Sequence, residues 1–144
     1  MSTKLRQLLQ VLSGTSLIGI GISLNYLANL GLGPWGVFHD GLSKTLNITY
    51  GRTIIITGIA VMLLWIPLKQ KPGIGTIIDI FLVGTVADLI IPNFPLSENV
   101  FVSLLLIFCG IILIGAGTAI YVGGNLGVGP RDGIMVGLEA KGLK

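Results

Sequence analysis

The chain has 144 residues, of which 52% are apolar and 10% are charged, and its mean hydropathy is +0.92. A water-soluble domain needs roughly a quarter of its residues charged to cover its surface, so the composition excludes a soluble globular domain. The net charge of +3 is too small and too dispersed to predict nucleic-acid binding. The sequence therefore indicates an integral membrane protein whose main partner is the lipid bilayer.

Two long runs lack charge: residues 7–38 and 99–130 each contain 32 positions without Asp, Glu, Lys or Arg. About 20 apolar residues suffice to cross a bilayer as a helix, and a backbone in lipid must satisfy its own hydrogen bonds. The predicted fold class is an all-α polytopic membrane protein. Its four predicted transmembrane helices lie at about residues 8–28, 50–68, 73–91 and 100–122.

A short polar segment separates the first two spans. Pro34 follows Gly33, as is typical of the first turn of a helix, and the segment 34–46 contains one histidine and two charged residues. It is too short and too polar to face lipid across the whole bilayer. We therefore predict a short interfacial or re-entrant helix here, and a second one over 130–144.

The sequence repeats itself at an offset of 96 residues. From Gly14 to Leu42, 12 of 29 positions are identical to those 96 residues later, without a gap, and the segment 29–34 recurs with one change at 125–130. Such an ungapped match predicts an internal duplication.

The predicted copies are residues 1–96, with three spans and one short helix, and residues 97–144, which form the first half of a second copy. The second copy stops about 48 residues early. We therefore expect either a truncated product or a surface that another chain covers, as a homo-oligomer or as the missing C-terminal half-repeat.

The distribution of Lys and Arg predicts the orientation in the membrane. If the N-terminus is cytoplasmic and helix 34–46 does not cross, seven basic residues lie inside and two outside; if the helix crosses, the counts are six and three. The first arrangement is favoured. Three crossings per copy then place the two copies in opposite orientations, the inverted plan common among secondary transporters.

The glycine-rich turns are candidate binding elements. The G-x-G-x-x-G pattern at 31–36 does not predict a dinucleotide site, because no strand precedes it. Paired glycines let the backbone turn sharply, and the following Pro starts a helix whose free N–H groups carry partial positive charge. The alternative is a turn that only positions two helices. The candidate residues are Asn29, Gly31, Gly33 and Pro34, with Asn125, Gly127, Gly129 and Pro130 in the second copy.

Charged residues in or beside the spans are the other substrate-binding candidates, because a charge in lipid is costly. Asp79 and Asp88 lie in the third span, and Arg131 and Asp132 follow the second turn. For Asp79 the alternative is a hydrogen bond that packs two helices, and for Asp88 it is a loop-capping role near the interface. For Arg131 and Asp132 the alternative is a pair of solvated surface charges.

No pattern indicates an enzyme. The sequence lacks H-E-x-x-H, a Cys cluster and a Ser-His-Asp set at a common depth, and His39 has no second ligand at metal spacing. We predict no catalytic residue, no metal site and no cofactor.

The chain resembles the YczE/YitT-like bacterial integral membrane proteins. The likeness is carried by 29–35, 41–43, 72–76, Asp88 and 127–133, and it covers essentially the whole chain. The resemblance implies a multi-pass protein of the bacterial cytoplasmic membrane with two complete repeats, from which this chain departs by lacking the end of the second. It implies no established substrate.

Two hypotheses for function follow. The leading one is a membrane protein of transporter type that moves a small solute or ion, with the glycine-broken segments and Asp79 at the repeat interface. The alternative is a non-transporting scaffold or regulatory protein that acts through helix–helix contacts.

Overall fold

The computed structural model describes residues 3–142, which form helices and connecting turns with no β-strand in that range. The predicted all-α class is confirmed. Positions 1, 2, 143 and 144 of the two predicted copies lie outside the described residues. The helices are α1 (Thr3–Leu27), α2 (Pro34–Leu46), α3 (Tyr50–Leu63), α4 (Trp65–Leu68), α5 (Ile74–Ile90), α6 (Val100–Gly123) and α7 (Pro130–Ala140), with a 3-10 turn at Ile91–Asn93.

Four helical segments are long and apolar enough to cross a membrane: Thr3–Leu27, Tyr50–Leu68, Ile74–Asn93 and Val100–Gly123. They confirm the four predicted spans. The second span consists of α3 and α4, and its α-helix is interrupted at Leu64. At most a third of the most apolar stretch of each helix is buried, so most of the apolar surface is free to contact lipid.

The helices α1 and α6 pack against each other in antiparallel fashion through glycines. A Cβ atom on Gly14 would lie 2.6 Å from Gly117 O, and one on Gly21 would lie 2.7 Å from Gly110 O. Each contact is reciprocal, since a Cβ on Gly117 would lie 2.6 Å from Gly14 O. Small residues allow this close approach of two membrane helices, which explains the glycines without a binding role.

The helix α5 runs parallel to α1 and antiparallel to α3. Gly19 of α1 lies against Val86 of α5, and Gly51 of α3 lies against Gly84 of α5. Tyr50, Ile54, Val83 and Ala87 form a buried cluster between α3 and α5, against which α1 packs. The four spans therefore alternate in direction along the chain.

The segment that contains α2 enters and leaves the bundle at the same end, here named the α2 end. The rings of Tyr26, before α2, and Tyr50, after it, are only 4.7 Å apart. A helix of 13 residues is about 20 Å long, shorter than the hydrocarbon core of about 30 Å. This confirms the prediction that α2 is short and does not span the membrane.

The helix α7 lies at the opposite end, here named the α7 end, where three hydrogen bonds hold the turn that precedes it. Gly75 N–H donates to Leu126 O (2.9 Å), and the Thr76 hydroxyl donates to Val128 O (2.7 Å). The indole N–H of Trp65 donates to Pro130 O (2.9 Å) in a buried position. The start of α7 is thus fixed by residues of the second and third spans.

The two glycine-rich turns follow the same backbone path. Asn29 and Asn125 have φ of 54° and 50°, and Gly31 and Gly127 have φ of 135° and 131°. Such φ values are difficult for residues with a Cβ. In both turns a glycine forms the N-cap and a proline opens the helix. The conformations therefore recur at the same offset as the sequence match.

We expect Trp65→Phe to destabilise the protein by about 1–3 kcal/mol, because the buried Pro130 carbonyl loses its donor. Trp35→Phe is the matched control, since Trp35 is 41% exposed and keeps an aromatic ring in the variant. Thermal unfolding in detergent, followed by intrinsic fluorescence, compares the two. Equal melting temperatures for the two variants would contradict the assignment of this hydrogen bond as a main support of α7.

Candidate functional site

A cavity of about 280 Å³ lies between the four spans and is closed by the starts of α2 and α7. Its wall is largely aliphatic, contributed by Ile18, Ile22, Ile54, Ile80, Val83 and Ile114. Its polar lining comes from the third span and from the start of α7, where Asp79, Arg131 and Asp132 are located. The cavity therefore combines an apolar body with a few charged groups, the usual composition of a ligand pocket.

The starts of α2 and α7 meet at this cavity from opposite ends of the bundle. The guanidinium carbon of Arg131 lies 4.6 Å from the centroid of the Trp35 ring, which is a cation–π contact. Neither helix has a side-chain cap at its N-terminus. Two sets of uncapped N–H groups, each with partial positive charge, are thereby brought to one place.

Arg131 is the positive side chain of the cavity. Among residues 3–142 it makes no side-chain hydrogen bond and no ion pair within 4.0 Å. Burial lowers the pKa of the Arg131 guanidinium, and the charge of Asp79 offsets part of that effect. An arginine still carries its charge at neutral pH, so the cavity contains a cation that is held mainly by an aromatic ring.

Asp79 and Asp132 bring negative charge to the same lining, and the charge of Asp79 acts on Arg131. A Cβ on Gly129 would lie 3.6 Å from Asp79 Oδ2 and 3.2 Å from Asp132 Oδ2, so both carboxylates flank the same glycine. The side chain of Asp79 has no hydrogen-bond partner in the part of the chain that the structure describes. A helix-packing hydrogen bond, the alternative role for Asp79, is therefore absent from the described contacts.

A tyrosine hydroxyl also lacks a partner at this site. Tyr121 lines the cavity and is 1% exposed, and its buried Oη atom makes no hydrogen bond of normal geometry among the described residues, since the nearby Thr76 hydroxyl donates to Val128 O. Most buried hydroxyl groups are paired. A buried hydroxyl group without a partner on the wall of a cavity is available to bind a polar group of a ligand.

His39 supports the cavity from behind. Its Nε2 lies 2.8 Å from Thr57 Oγ1, and the Thr57 hydroxyl in turn donates to Thr53 O (2.7 Å). Because the Thr57 proton is used in that bond, we assign the proton of the imidazole to Nε2. Thr57 lines the cavity. His39 is buried and donates a hydrogen bond to Thr57.

We expect the stability contribution of neutral His39 to fall as the pH drops from 6.5 to 4. Burial, followed by the charge of Arg131, lowers the pKa of His39 to about 4, while an unfolded chain binds the proton near pH 6.5. Between these values the unfolded state binds more protons, so stability rises with pH. Melting temperatures of the wild type and of His39→Gln across this range should converge at low pH. A constant difference would contradict the shifted pKa.

The remaining candidate residues lie elsewhere. Asp88 is at the α2 end, where it accepts hydrogen bonds from the Thr49 hydroxyl (2.6 Å) and Gly51 N–H (2.7 Å) and so holds the start of α3. This is the capping role considered as its alternative. Asn29 and Gly31 line a separate pocket of about 300 Å³. Gly33, Pro34, Asn125 and Gly127 line neither pocket and shape the two turns.

Five candidates do meet at the central cavity, namely Asp79, Gly129, Pro130, Arg131 and Asp132. Sequence reasoning missed Trp35, Thr57 and Tyr121. Trp35 carries a usable signal, because it stands 96 residues before Arg131 and thus at the matching position of the first turn. Tyr121 and Thr57 carry none, since a single polar residue in an apolar run does not reveal which way it faces.

Comparison with known proteins adds the following. The model of a family of unknown function, DUF6198, matches residues 5–143. The chain is 38% identical over 134 residues to an uncharacterized protein of Haemophilus influenzae, with 89% of this chain and 59% of that protein covered. It is 30% identical over 131 residues to the uncharacterized membrane protein YczE of Bacillus subtilis, with 90% and 61% covered.

A third relative, the uncharacterized protein YyaS of Bacillus subtilis, is 30% identical over 123 residues, with 83% of this chain and 61% of that protein covered. The chain thus spans about three fifths of the length of these relatives. No solved structure matches. The predicted resemblance to YczE is confirmed by these matches.

Proposed function

Since the chain belongs to the DUF6198 family and is a multi-pass membrane protein, we propose that it forms the solute pathway of a membrane transporter for a small solute or ion. The observation that carries the proposal is the meeting of two uncapped helix starts, through Trp35 and Arg131, at a cavity between the spans. Charged groups inside a membrane typically mark such pathways. Broken helices whose N-termini face a site near the membrane midplane are typical of secondary transporters.

The proposal includes an inverted internal repeat. Gly14 contacts Gly117, and Gly21 contacts Gly110, while the sequence match pairs Gly14 with Gly110 and Gly21 with Gly117. A two-fold axis produces this reciprocal pattern, in which each position contacts the partner of the other. Because α1 and α6 are antiparallel, such an axis lies in the membrane plane. Under this proposal the axis would pass between Trp35 and Arg131, which also match and contact each other.

The same proposal places the chain in the bacterial cytoplasmic membrane with the N-terminus inside. Its support is the distribution of basic residues and the bacterial origin of the relatives. The whole relatives are longer, so the transporter would comprise this chain together with a second copy or with a segment that completes the second repeat.

The proposed orientation predicts which side of the membrane the ends of α2 and α7 face, and cysteine labelling tests it. We expect Thr45→Cys, near the end of α2, to react with an impermeant maleimide in intact cells, and Ala140→Cys, at the end of α7, to remain unlabelled until the cells are opened. Both positions are exposed. Cys109 is first replaced by Ala, so that a single thiol is present. Labelling of both positions from the same side would contradict opposite ends for α2 and α7.

Transport itself is tested with a cysteine in the cavity. Thr118 lines the cavity, and Ala119, the next residue of α6, is exposed on the bundle surface. On the Cys109→Ala background, we expect Thr118→Cys in proteoliposomes to react with a charged, water-soluble thiosulfonate, whereas Ala119→Cys in lipid stays unreactive. The reaction should block the flux of small solutes, measured by osmotic swelling and by uptake of labelled compounds.

An unreactive thiol at position 118 together with no flux of neutral, anionic, cationic or zwitterionic small solutes would overturn the transporter proposal. That result would favour the scaffold or regulatory alternative. Reaction at position 118 without any effect on a measured flux would also contradict it, because the cavity would then lie outside the pathway.

A further inference from the structure

The central cavity is lined by charges of both signs, of which Arg131 and Asp79 are partly buried and Asp132 is exposed. Arg131 lies over the Trp35 ring, and Asp79 and Asp132 flank Gly129. No ion pair within 4.0 Å joins them in the part of the chain that the structure describes. Because unpaired charges inside a membrane are unfavourable, their presence in one cavity points to a ligand that supplies counter-charges.

An independent observation points to the same cavity. The Tyr121 hydroxyl is fully buried, lines this cavity and makes no hydrogen bond of normal geometry among residues 3–142. It belongs to a different helix, α6, and lies near the carboxylates of Asp79 and Asp132. A polar group of a ligand in the cavity would satisfy it.

The charge balance limits the class of ligand. A simple anion near Arg131 would be repelled by the carboxylates of Asp79 and Asp132, and a simple cation near Asp79 would be repelled by Arg131. A molecule with both charges satisfies both sides. The aliphatic wall provides apolar contacts for its body, and 280 Å³ is the volume of about nine water molecules at about 30 Å³ each.

We infer that the cavity binds a small zwitterion that carries an ammonium and a carboxylate on an aliphatic body, the chemistry of an aliphatic α-amino acid. The inference rests on the proposed solute pathway and names its substrate class. The ligand carboxylate is placed at Arg131, and the ammonium at Asp79 and Asp132, which flank the N-cap Gly129 of α7. The aliphatic body packs against the isoleucine wall.

The test is equilibrium binding to the purified full chain in nanodiscs. Labelled L-alanine, L-valine and L-leucine are the probes, and two analogues of leucine that each keep one charge are the competitors: 4-methylpentanoate lacks the ammonium, and 3-methylbutylamine lacks the carboxylate. We expect L-leucine or L-valine to bind, and each single-charge analogue to compete at least about tenfold more weakly, as expected when a buried charged group of the site loses its partner.

Variants then assign the two ends of the ligand. Arg131→Gln and Asp79→Asn should each weaken amino acid binding about tenfold or more, and Asp88→Asn, whose carboxylate lies at the α2 end, should bind as the wild type does. In Arg131→Gln, the affinity for L-leucine should exceed the affinity for 3-methylbutylamine by less than it does in the wild type. In Asp79→Asn, the affinity for L-leucine should exceed the affinity for 4-methylpentanoate by less than it does in the wild type. Melting temperatures near that of the wild type show that the variants are folded.

Three results would overturn the inference: no binding of any of the three amino acids at millimolar concentration, binding of 4-methylpentanoate as tight as that of L-leucine, or binding of 3-methylbutylamine as tight as that of L-leucine. None of these affects the transporter proposal, which is judged by the reactivity at position 118 and by flux. Conversely, amino acid binding without any flux would support the inferred zwitterion site and contradict the transporter proposal.

Discussion

Replacing Asp79 with Asn is expected to lower solute flux through the protein by about one to two orders of magnitude, while Asp88→Asn leaves flux nearly unchanged. Asp79 lines the central cavity, and its carboxylate has no hydrogen-bond partner among the described residues. A charge-assisted contact to a solute is worth about 1.5–3 kcal/mol, which corresponds to that loss of flux. Asparagine has nearly the same shape, so the packing of α5 is preserved.

The two variants should also differ in stability, with Asp88→Asn, the variant of nearly normal flux, as the less stable one. Asp88 accepts two hydrogen bonds that hold the start of α3, so Asp88→Asn should lower the free energy of unfolding by about 1 kcal/mol. Asp79→Asn should leave it unchanged or raise it, because an unpaired charge is removed from the membrane interior. Flux in proteoliposomes and thermal unfolding in detergent measure the two effects. Normal flux in Asp79→Asn would remove this residue from the pathway.

Replacing Gly127 with Ala is expected to destabilise the protein and to reduce flux, whereas Gly31→Ala is much milder. Both glycines have nearly the same φ, 131° and 135°, so an alanine suffers the same backbone strain, about 1–3 kcal/mol, at either position. Only at Gly127 would the new Cβ meet a neighbour, 2.7 Å from Thr76 Oγ1; nothing lies within 4 Å at Gly31. Overpacking of this kind costs about a further 1–3 kcal/mol.

The effect on flux follows from the position of the turn. The Thr76 hydroxyl holds Val128 O (2.7 Å), and a displaced turn would move Arg131 away from Trp35. Melting temperature and flux of the two variants are compared on the same preparation. Equal losses in Gly31→Ala and Gly127→Ala would show that backbone strain alone decides, and that the contact with α5 contributes nothing.

The sequence was sufficient to predict the spans and the two short helices. Charge-free runs define spans because lipid excludes charge, and the Gly-Pro steps mark helix starts because proline suits the first turn. The interruption of the helix at Leu64 was not predicted, although Pro67 signals it, because a proline lacks an N–H and its ring crowds the carbonyl four residues earlier, that of Leu63. The helix α7 ends at Ala140, earlier than predicted, with the last two predicted positions outside the described residues.

The candidate site was predictable only in part. A carboxylate in a span is expected to be functional, which identified Asp79, but the same argument also selected Asp88, which holds the start of α3. Distance from the end of the span separates the two already in the sequence, since Asp88 lies four residues before Pro92 and Asp79 lies deeper. The partners of Arg131 depend on how α2 and α7 meet in space, and no local pattern around Trp35 or Tyr121 encodes that geometry.

The contact between Trp35 and Arg131 has a consequence for descent. Under the inverted-repeat proposal, these two residues occupy one ancestral position on the symmetry axis. In an ancestor made of two identical subunits, the residue at this position would have faced the same residue of the other subunit. The pair would then have been two arginines, which repel each other, or two tryptophans, which carry no charge. A cation resting on a ring needs two different residues there. Gene duplication, which lets each copy mutate alone, must therefore have preceded this contact.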